Sequence, residues 1–132
     1  MKAHGILSWI LRILASIILL QTLFFKFTGA EESKYIFTEL MGPENEAFGR
    51  IGSGLVELAA VVLLIYPATA SVGAVLAIGV MFGAIFSHLT KLGIVVMNDG
   101  GTLFILAITT LLASLGTLWL HRRELPFLGR RL

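Results

Sequence analysis

Residues 102–120 read TLFILAITTLLASLGTLWL, a run without a single charged side chain. A helix needs roughly 20 consecutive apolar residues to cross the hydrocarbon core of a bilayer. The run lacks the period-two alternation of a barrel strand, and a helix pairs its backbone groups internally. This stretch therefore predicts a transmembrane α-helix.

Three further stretches have the same apolar character, at about residues 5–28, 51–66 and 71–89. Hydrophobic residues make up 57% of the 132-residue chain and charged residues only 14%, against about 25% charged residues in an ordinary soluble domain. This composition excludes a soluble globular fold and a disordered tail. We predict an all-α, four-helix transmembrane bundle in a single domain that spans residues 1–132.

The N-terminus has a second interpretation as a secretory signal peptide. Arg12, the apolar run that follows it and the small residue Ala30 are compatible with cleavage after Ala30. Lys26 interrupts the region before that site. A first membrane span is therefore the favoured prediction.

The connection between the first two spans predicts a short extra helix. Residues 32–40 interleave four apolar side chains with polar ones, as in a short amphipathic helix that lies on the outer membrane surface. Gly42 then ends one helix, and Pro43 and the glutamates after it are typical of a new helix start. The second spanning helix is therefore expected to begin before its apolar core.

Positive charge concentrates near both termini. Lys2 and Arg12 lie near the start, and residues 121–131 carry four arginines. Residues 30–49, by contrast, carry five glutamates and one lysine. Because Lys and Arg favour cytoplasmic flanks, we expect both termini in the cytoplasm and the first connection outside. The basic pI is thus a topology signal, and we expect no nucleic-acid partner.

Ionisable residues inside the spans are the candidates for a functional site. A charge near the bilayer centre costs roughly 2.5 to 3.5 kcal/mol on insertion scales, and it is tolerated mainly when paired or facing a cavity. At about 100° per residue, one polar stripe of the second span contains Glu46, Arg50, Ser53 and Glu57. One face of the first span contains Ser8, Arg12, Ser16 and Lys26, and Gln21 points away from it.

His88 and Lys91 end the third span at the depth expected for Lys26. The ligand-binding candidates, which we expect to converge in the outer half of the membrane, are Lys26, Arg50, Glu57 and His88. The secondary candidates are Arg12, Gln21 and Lys91. No catalytic residue is assigned.

Two interpretations of this convergence stay open. In the first, Glu57 pairs with Lys26 or Arg50, His88 binds a carbonyl, and the network fixes helix register without doing chemistry. In the second, these groups line a polar pocket for a flat lipophilic ligand, such as a quinone whose carbonyl accepts a hydrogen bond from Lys26 or His88. The phenylalanines expected to frame that pocket are Phe24, Phe25, Phe27, Phe82, Phe86 and Phe104.

Metal and thiol chemistry find little support in the sequence. The chain has no cysteine, which excludes disulfides and thiolate ligands within it. Glu57 and His88 are too few ligands to predict zinc or iron. His88 is expected at the opposite end of the bundle from His4 and His121, which disfavours a bis-histidine haem. We predict no metal and no cofactor within the chain apart from a bound quinone or lipid.

The third span also carries Gly79, Gly83 and Ser87 at four-residue spacing. This small-xxx-small pattern lets membrane helices approach closely. It predicts tight helix packing or a homodimer face.

Several segments of the chain resemble the DoxX-like family of small bacterial membrane proteins. They are Arg12, residues 23–29 (LFFKFTG), residues 52–58 (GSGLVEL) and residues 86–90 (FSHLT). The resemblance covers nearly the whole chain and implies a four-helix bundle in the bacterial cytoplasmic (inner) membrane. It also implies relatives that act as membrane subunits of thiosulfate:quinone oxidoreductase or associate with redox enzymes. By position, Arg12, Lys26 and Glu57 look like the charged residues of the family pattern.

The sequence thus leads to three functional hypotheses. The first is an integral membrane subunit or accessory protein of a redox system, quinone-facing, with a polar intramembrane pocket. The second is a non-catalytic protein that binds lipid or a lipophilic small molecule, and the third is a purely structural partner. The expected partners are membrane lipid, a redox enzyme and a second copy of the chain.

Overall fold

The computed structural model describes residues 2–95 and 100–125, with side chains from residue 5 onward. Two of the four C-terminal arginines, Arg130 and Arg131, lie outside these residues. The described chain forms the helices α1 (Lys2–Thr28), α2 (Glu31–Met41), α3 (Glu46–Ile65), α4 (Ala70–Ser87) and α5 (Thr102–Leu120). Short 3-10 turns cover Pro67–Thr69 and Arg122–Glu124, and a π-helical turn covers His88–Leu92. The prediction of an all-α helix bundle is confirmed.

Four of the helices, α1, α3, α4 and α5, are long and apolar enough to cross a membrane. The third of these spans runs over Pro67–Leu92, because α4 continues from the preceding 3-10 turn into the π-helical turn. Helix α3 begins at Glu46, ahead of its apolar core, as the Pro-Glu segment before it predicts. The chain is therefore a multi-pass membrane protein by length and composition.

The spanning helices form a ring in which each packs against two neighbours. Helices α1 and α4 each contact both α3 and α5, so α1 and α4 stand diagonally opposite. We call the end of the bundle with the described chain ends the terminal end, and the opposite end the α2 end. Trp9, Tyr66 and Trp119 are exposed at the terminal end, where amphipathic rings suit a membrane interface.

The glycines of the spanning helices show where neighbouring helices touch and where open space remains. A Cβ on Gly73 would lie 2.6 Å from the backbone nitrogen of Leu64, and one on Gly116 would lie 2.8 Å from Leu11. A Cβ on Gly79 or Gly83 would meet no atom within 4 Å. Helix α4 therefore packs closely on α3 at Gly73 and leaves open space at Gly79 and Gly83, whereas α1 and α3 stay in contact toward the α2 end, where a Cβ on Gly54 would lie 2.7 Å from Phe27.

The open space beside Gly79 and Gly83 bears on the prediction of tight packing at the small-residue pattern of α4. Among the described residues, no neighbouring helix packs on Gly79 or Gly83, so tight packing of this face within the chain is wrong. The glycines instead leave space, and the homodimer face stays a prediction.

Helix α2 covers the end of the bundle opposite the described chain ends. It begins at Glu31 and ends before Gly42, whose φ of 86° lies in a region that a side chain disfavours. Met41 and Phe37 pack directly against Gly49 of α3. The amphipathic helix predicted over residues 32–40 is thus present and lies against α3.

Candidate functional site

The centre of the site is an ion pair between α1 and α3. Glu57 is completely buried, and its Oε1 accepts a hydrogen bond from Lys26 Nζ. Its other oxygen, Oε2, accepts one from Thr22 Oγ1 at 3.0 Å. Lys26 Nζ also donates to Ser53 Oγ at 3.1 Å. The carboxylate therefore has a partner on each oxygen, as a buried charge requires.

Helix periodicity brings these four side chains together. Thr22 and Lys26 lie one turn apart on α1, and Ser53 and Glu57 lie one turn apart on α3. Side chains four residues apart share a helix face, and α1 and α3 pack side by side. Two i, i+4 pairs thus face each other across one helix contact.

Arg50 joins the same two helices closer to the α2 end. Its Nε donates to Glu46 Oε2 at 2.9 Å, and its Nη1 donates to the carbonyl oxygen of Lys26 at 2.5 Å. That carbonyl is near the C-terminus of α1, where backbone acceptors lack intrahelical partners. Arg50 therefore ties the end of α1 to the start of α3, and it does not pair with Glu57.

His88 approaches from α4 at the beginning of the π-helical turn. It is 5% exposed, its Nδ1 lies 2.9 Å from the carbonyl oxygen of Gly93, and its ring stands edge-on to Phe104 with centroids 5.5 Å apart. Because a carbonyl only accepts, Nδ1 carries the hydrogen. In the part of the chain that the structure describes, Nε2 makes no hydrogen bond. π-helical turns are frequent at functional sites.

A cavity of about 600 Å³ lies between the ion pair and His88. This volume falls within the roughly 300 to 1,000 Å³ of small-molecule sites. All five helices contribute to its wall, which is mostly apolar. The polar and charged side chains in the wall are Gln21, Thr22, Lys26, Glu32, Ser33, Ser53, Glu57, Ser87, His88 and Thr102. The apolar wall includes Ile18, Leu19, Phe25, Phe37, Val56, Met81, Leu92 and Leu106.

The cavity opens to the outside of the bundle partway along the spanning helices. Gln21, Gly79 and Gly83 line it and are exposed. At 1.5 Å per residue, Gln21 lies about 10 Å below the end of α1 at Thr28. The opening is therefore well within the apolar length of the helix and not at its end.

The sequence candidates differ in where they lie relative to the cavity. Lys26, Glu57 and His88 line the cavity, and Gln21 is on its rim. Arg50 is buried behind it, and Lys91 is exposed outside it. Helix periodicity placed Gln21 away from the polar face of α1, and the cavity extends far enough around α1 to reach it.

Arg12 belongs to the other end of the molecule. It is 2% exposed, and its Nε and Nη2 donate to the carbonyl oxygens of Leu64 and Ile65 at 2.5 and 2.7 Å. Its guanidinium lies 3.9 Å from the centre of the Trp9 ring. Arg12 thus caps the C-terminus of α3 and takes no part in the cavity wall.

The expected frame of six phenylalanines is largely wrong. Only Phe25 of that set lines the cavity, and Phe24, Phe82 and Phe86 are more than half exposed on the outside of the bundle. Apolar rings are equally stable against lipid, so composition does not reveal which way they face. Phe37 of α2 lines the cavity instead, on the inner face of the amphipathic helix.

The arrangement offers two hydrogen-bonding positions on opposite walls. Lys26 can donate on one side, and Nε2 of His88 is available on the other. The described residues contain no group of three or more side chains that could hold a metal ion. The site is thus suited to a molecule with polar atoms on its head and a large apolar surface.

No family model, curated protein or solved structure matches the chain. The resemblance to the DoxX-like family therefore rests on the quoted sequence motifs.

Proposed function

We propose that the protein binds a lipophilic molecule with a carbonyl-bearing head, of the quinone class, and serves as an integral membrane subunit or accessory protein of a redox system. The observation that supports this most directly is the cavity of about 600 Å³ between Lys26–Glu57 and His88. An apolar pocket with a few convergent polar groups is the usual form of a small-molecule site.

The polar groups fit the two ends of a quinone ring. Lys26 can donate to one carbonyl oxygen while it stays paired with Glu57. Nε2 of His88 can donate to a second oxygen when the ring is protonated, or accept from a hydroquinone hydroxyl when it is neutral. The Nδ1 bond to Gly93 holds the imidazole in orientation for either role.

The open side of the cavity suits a ligand that arrives from the bilayer. Gly79 and Gly83 lack the side chains that would close this part of the wall. An apolar tail can then extend between helices into lipid while the head stays with the polar groups.

The cellular setting proposed here follows from charge and resemblance. We place the chain in a bacterial cytoplasmic membrane with both termini in the cytoplasm, because Lys and Arg concentrate near the termini. The DoxX-like motifs support a redox enzyme as partner, and the outer surface of α4 offers a face for a second copy.

Photo-crosslinking with an azido-quinone tests the proposal. The probe is added to the full chain in nanodiscs, and the modified peptides are mapped by mass spectrometry. We expect modification near Gln21–Lys26 and Gly79–His88. Gly83→Leu should reduce the yield about tenfold, equivalent to about 1.4 kcal/mol, because the new side chain occupies the cavity.

Gly52→Leu is the matched control. A Cβ on Gly52 would also meet no atom within 4 Å, and Gly52 lies outside the cavity wall, so this variant should keep the wild-type yield. Equal yields from both variants would contradict the site. Recovery of a tightly bound lipid, with no quinone adduct, would favour the lipid-binding alternative.

A further inference from the structure

Below the cavity, toward the terminal end, the bundle core contains hydroxyl side chains that ligand binding does not use. They are Ser8 and Ser16 of α1 and Thr110, Ser114 and Thr117 of α5, and each is at most 3% exposed. We call this set the hydroxyl seam.

Three members of the hydroxyl seam have no hydrogen-bond partner among the described residues. They are Ser16, Thr110 and Ser114. A buried hydroxyl without a partner destabilises the fold, and native proteins commonly satisfy such groups with internal water. The seam is therefore a set of positions at which water can bind.

The packing of α1 on α5 brings these hydroxyls to similar depths. Ser8 Oγ lies 2.6 Å from His121 Nε2, and Leu11 packs against Gly116. In this antiparallel register, Ser16 lies at a depth between Thr110 and Ser114. The unpartnered hydroxyls thus occupy one layer of the bundle, within about 6 Å along its axis.

The hydroxyl seam has titratable groups beyond both of its ends. At the upper end, Thr110 lies three residues, about 4.5 Å, below Ala107 in the cavity wall, and that cavity contains Glu57. At the lower end, the ring of His121 contacts Ser8 and also Glu124, at 2.6 Å between Nδ1 and Oε2. The side chain of Glu124 is 49% exposed.

We propose that the hydroxyl seam holds a water chain that carries protons between the cavity and the terminal end of the bundle. Hydroxyls and water each donate and accept, so one O–H bond breaks as the next one forms. The net result is the transfer of one proton along the chain, with no oxidant or reductant. Glu57 and the His121–Glu124 pair are the proton-exchanging groups at the two ends.

The positive charge of Arg12 determines which cations can use this path. It lies one turn from both Ser8 and Ser16 on α1, and its Nε and Nη2 are held by α3 carbonyls. Its fixed positive charge disfavours a resting hydronium and repels metal cations. We therefore expect slow proton transfer and no general cation conductance.

Proton flux into vesicles tests the inference without any quinone. The full chain is reconstituted into liposomes that contain a pH-sensitive dye, and valinomycin with a potassium gradient supplies the driving potential. Wild-type vesicles should acidify faster than protein-free ones. Thr110→Val keeps the side-chain volume but removes the hydroxyl, and it should slow the protein-dependent flux about tenfold.

The adjacent threonine is the matched control. Thr109 Oγ1 already donates to the carbonyl oxygen of Ile105 at 2.9 Å, so Thr109→Val should leave the flux unchanged. Thr110→Ser restores a hydroxyl and should restore the flux. Ser114→Ala provides a second test of the seam if Thr110→Val does not fold.

Two results would overturn the proton path. One is a wild-type flux equal to that of protein-free liposomes. The other is a flux that survives both Thr110→Val and Ser114→Ala, or that Thr109→Val lowers equally. Because no quinone is present, either result leaves the azido-quinone experiment as a separate test of the cavity.

Discussion

At the scale of single residues, the buried ion pair distinguishes this bundle from a purely apolar one. Lys26 is joined to Glu57, and Thr22 and Ser53 bind the two charged groups further. Breaking a buried pair by removing one charge is costly because the other charge stays in the low-dielectric interior. The pair thus contributes to the α1–α3 contact whether or not a ligand is bound.

Glu57→Gln tests how much this ion pair contributes to the free energy of unfolding. We expect it to lower the free energy of unfolding by about 3–5 kcal/mol, because it leaves Lys26 without a counter-charge. The control is Glu124→Gln, which removes a carboxylate that is 49% exposed in its pair with His121 and should cost about 1 kcal/mol or less. Thermal or denaturant unfolding in detergent measures both, and equal losses would show that burial gives Glu57 no special role.

The sequence predicts this residue pairing only in part. Helix periodicity predicts the polar stripe that contains Glu57 and the polar helix face that contains Lys26. These two surfaces contact each other because α1 packs on α3. Arg50 belongs to the same stripe, but it binds Glu46 one turn away and the Lys26 carbonyl. Which of two basic side chains reaches a carboxylate depends on helix rotation and chain ends, and periodicity does not specify these.

At the scale of helices, glycine spacing has two opposite consequences in α4. Gly73 allows α4 to touch the backbone of α3, whereas Gly79 and Gly83 face the cavity. All three are glycines in the apolar sequence of one helix, so only the neighbouring helix decides between contact and space. For this reason the small-residue pattern predicted packing where the structure has a cavity.

Alanine substitutions separate the two kinds of glycine. Gly73→Ala should destabilise the bundle by about 1–3 kcal/mol, since its Cβ would lie 2.6 Å from a backbone nitrogen of α3. Gly79→Ala meets no atom and should be neutral or stabilising by up to about 1 kcal/mol through helix propensity. Unfolding in detergent measures both changes. A larger loss of stability from Gly79→Ala than from Gly73→Ala would contradict the close contact at Gly73 and the open space at Gly79.

At the scale of the whole molecule, the length of the four apolar segments specifies the helix bundle. The distribution of Lys and Arg predicts the orientation of that bundle in the membrane. The span predicted over residues 102–120 coincides with α5, and the start of α3 at Glu46 follows from the turn before it. The cavity is harder to predict, because its wall comes from all five helices and α2 covers it. No single segment encodes that arrangement.

Cysteine labelling tests the orientation, and the absence of native cysteine gives it a clean background. In right-side-out bacterial spheroplasts, Glu39→Cys on exposed α2 should react with an impermeant maleimide. Glu124→Cys at the terminal end should react only after the membrane is opened. The opposite pattern would invert the topology and place the cavity near the cytoplasmic side.

An experimental density map of the full chain, purified in native membrane lipid, would show whether the cavity holds a ligand. We expect density for a bound molecule in the cavity, with polar atoms within hydrogen-bond distance of Lys26 Nζ or His88 Nε2. A cavity closed by helix contact, with Glu57 against acyl chains or beyond reach of Lys26, would contradict it.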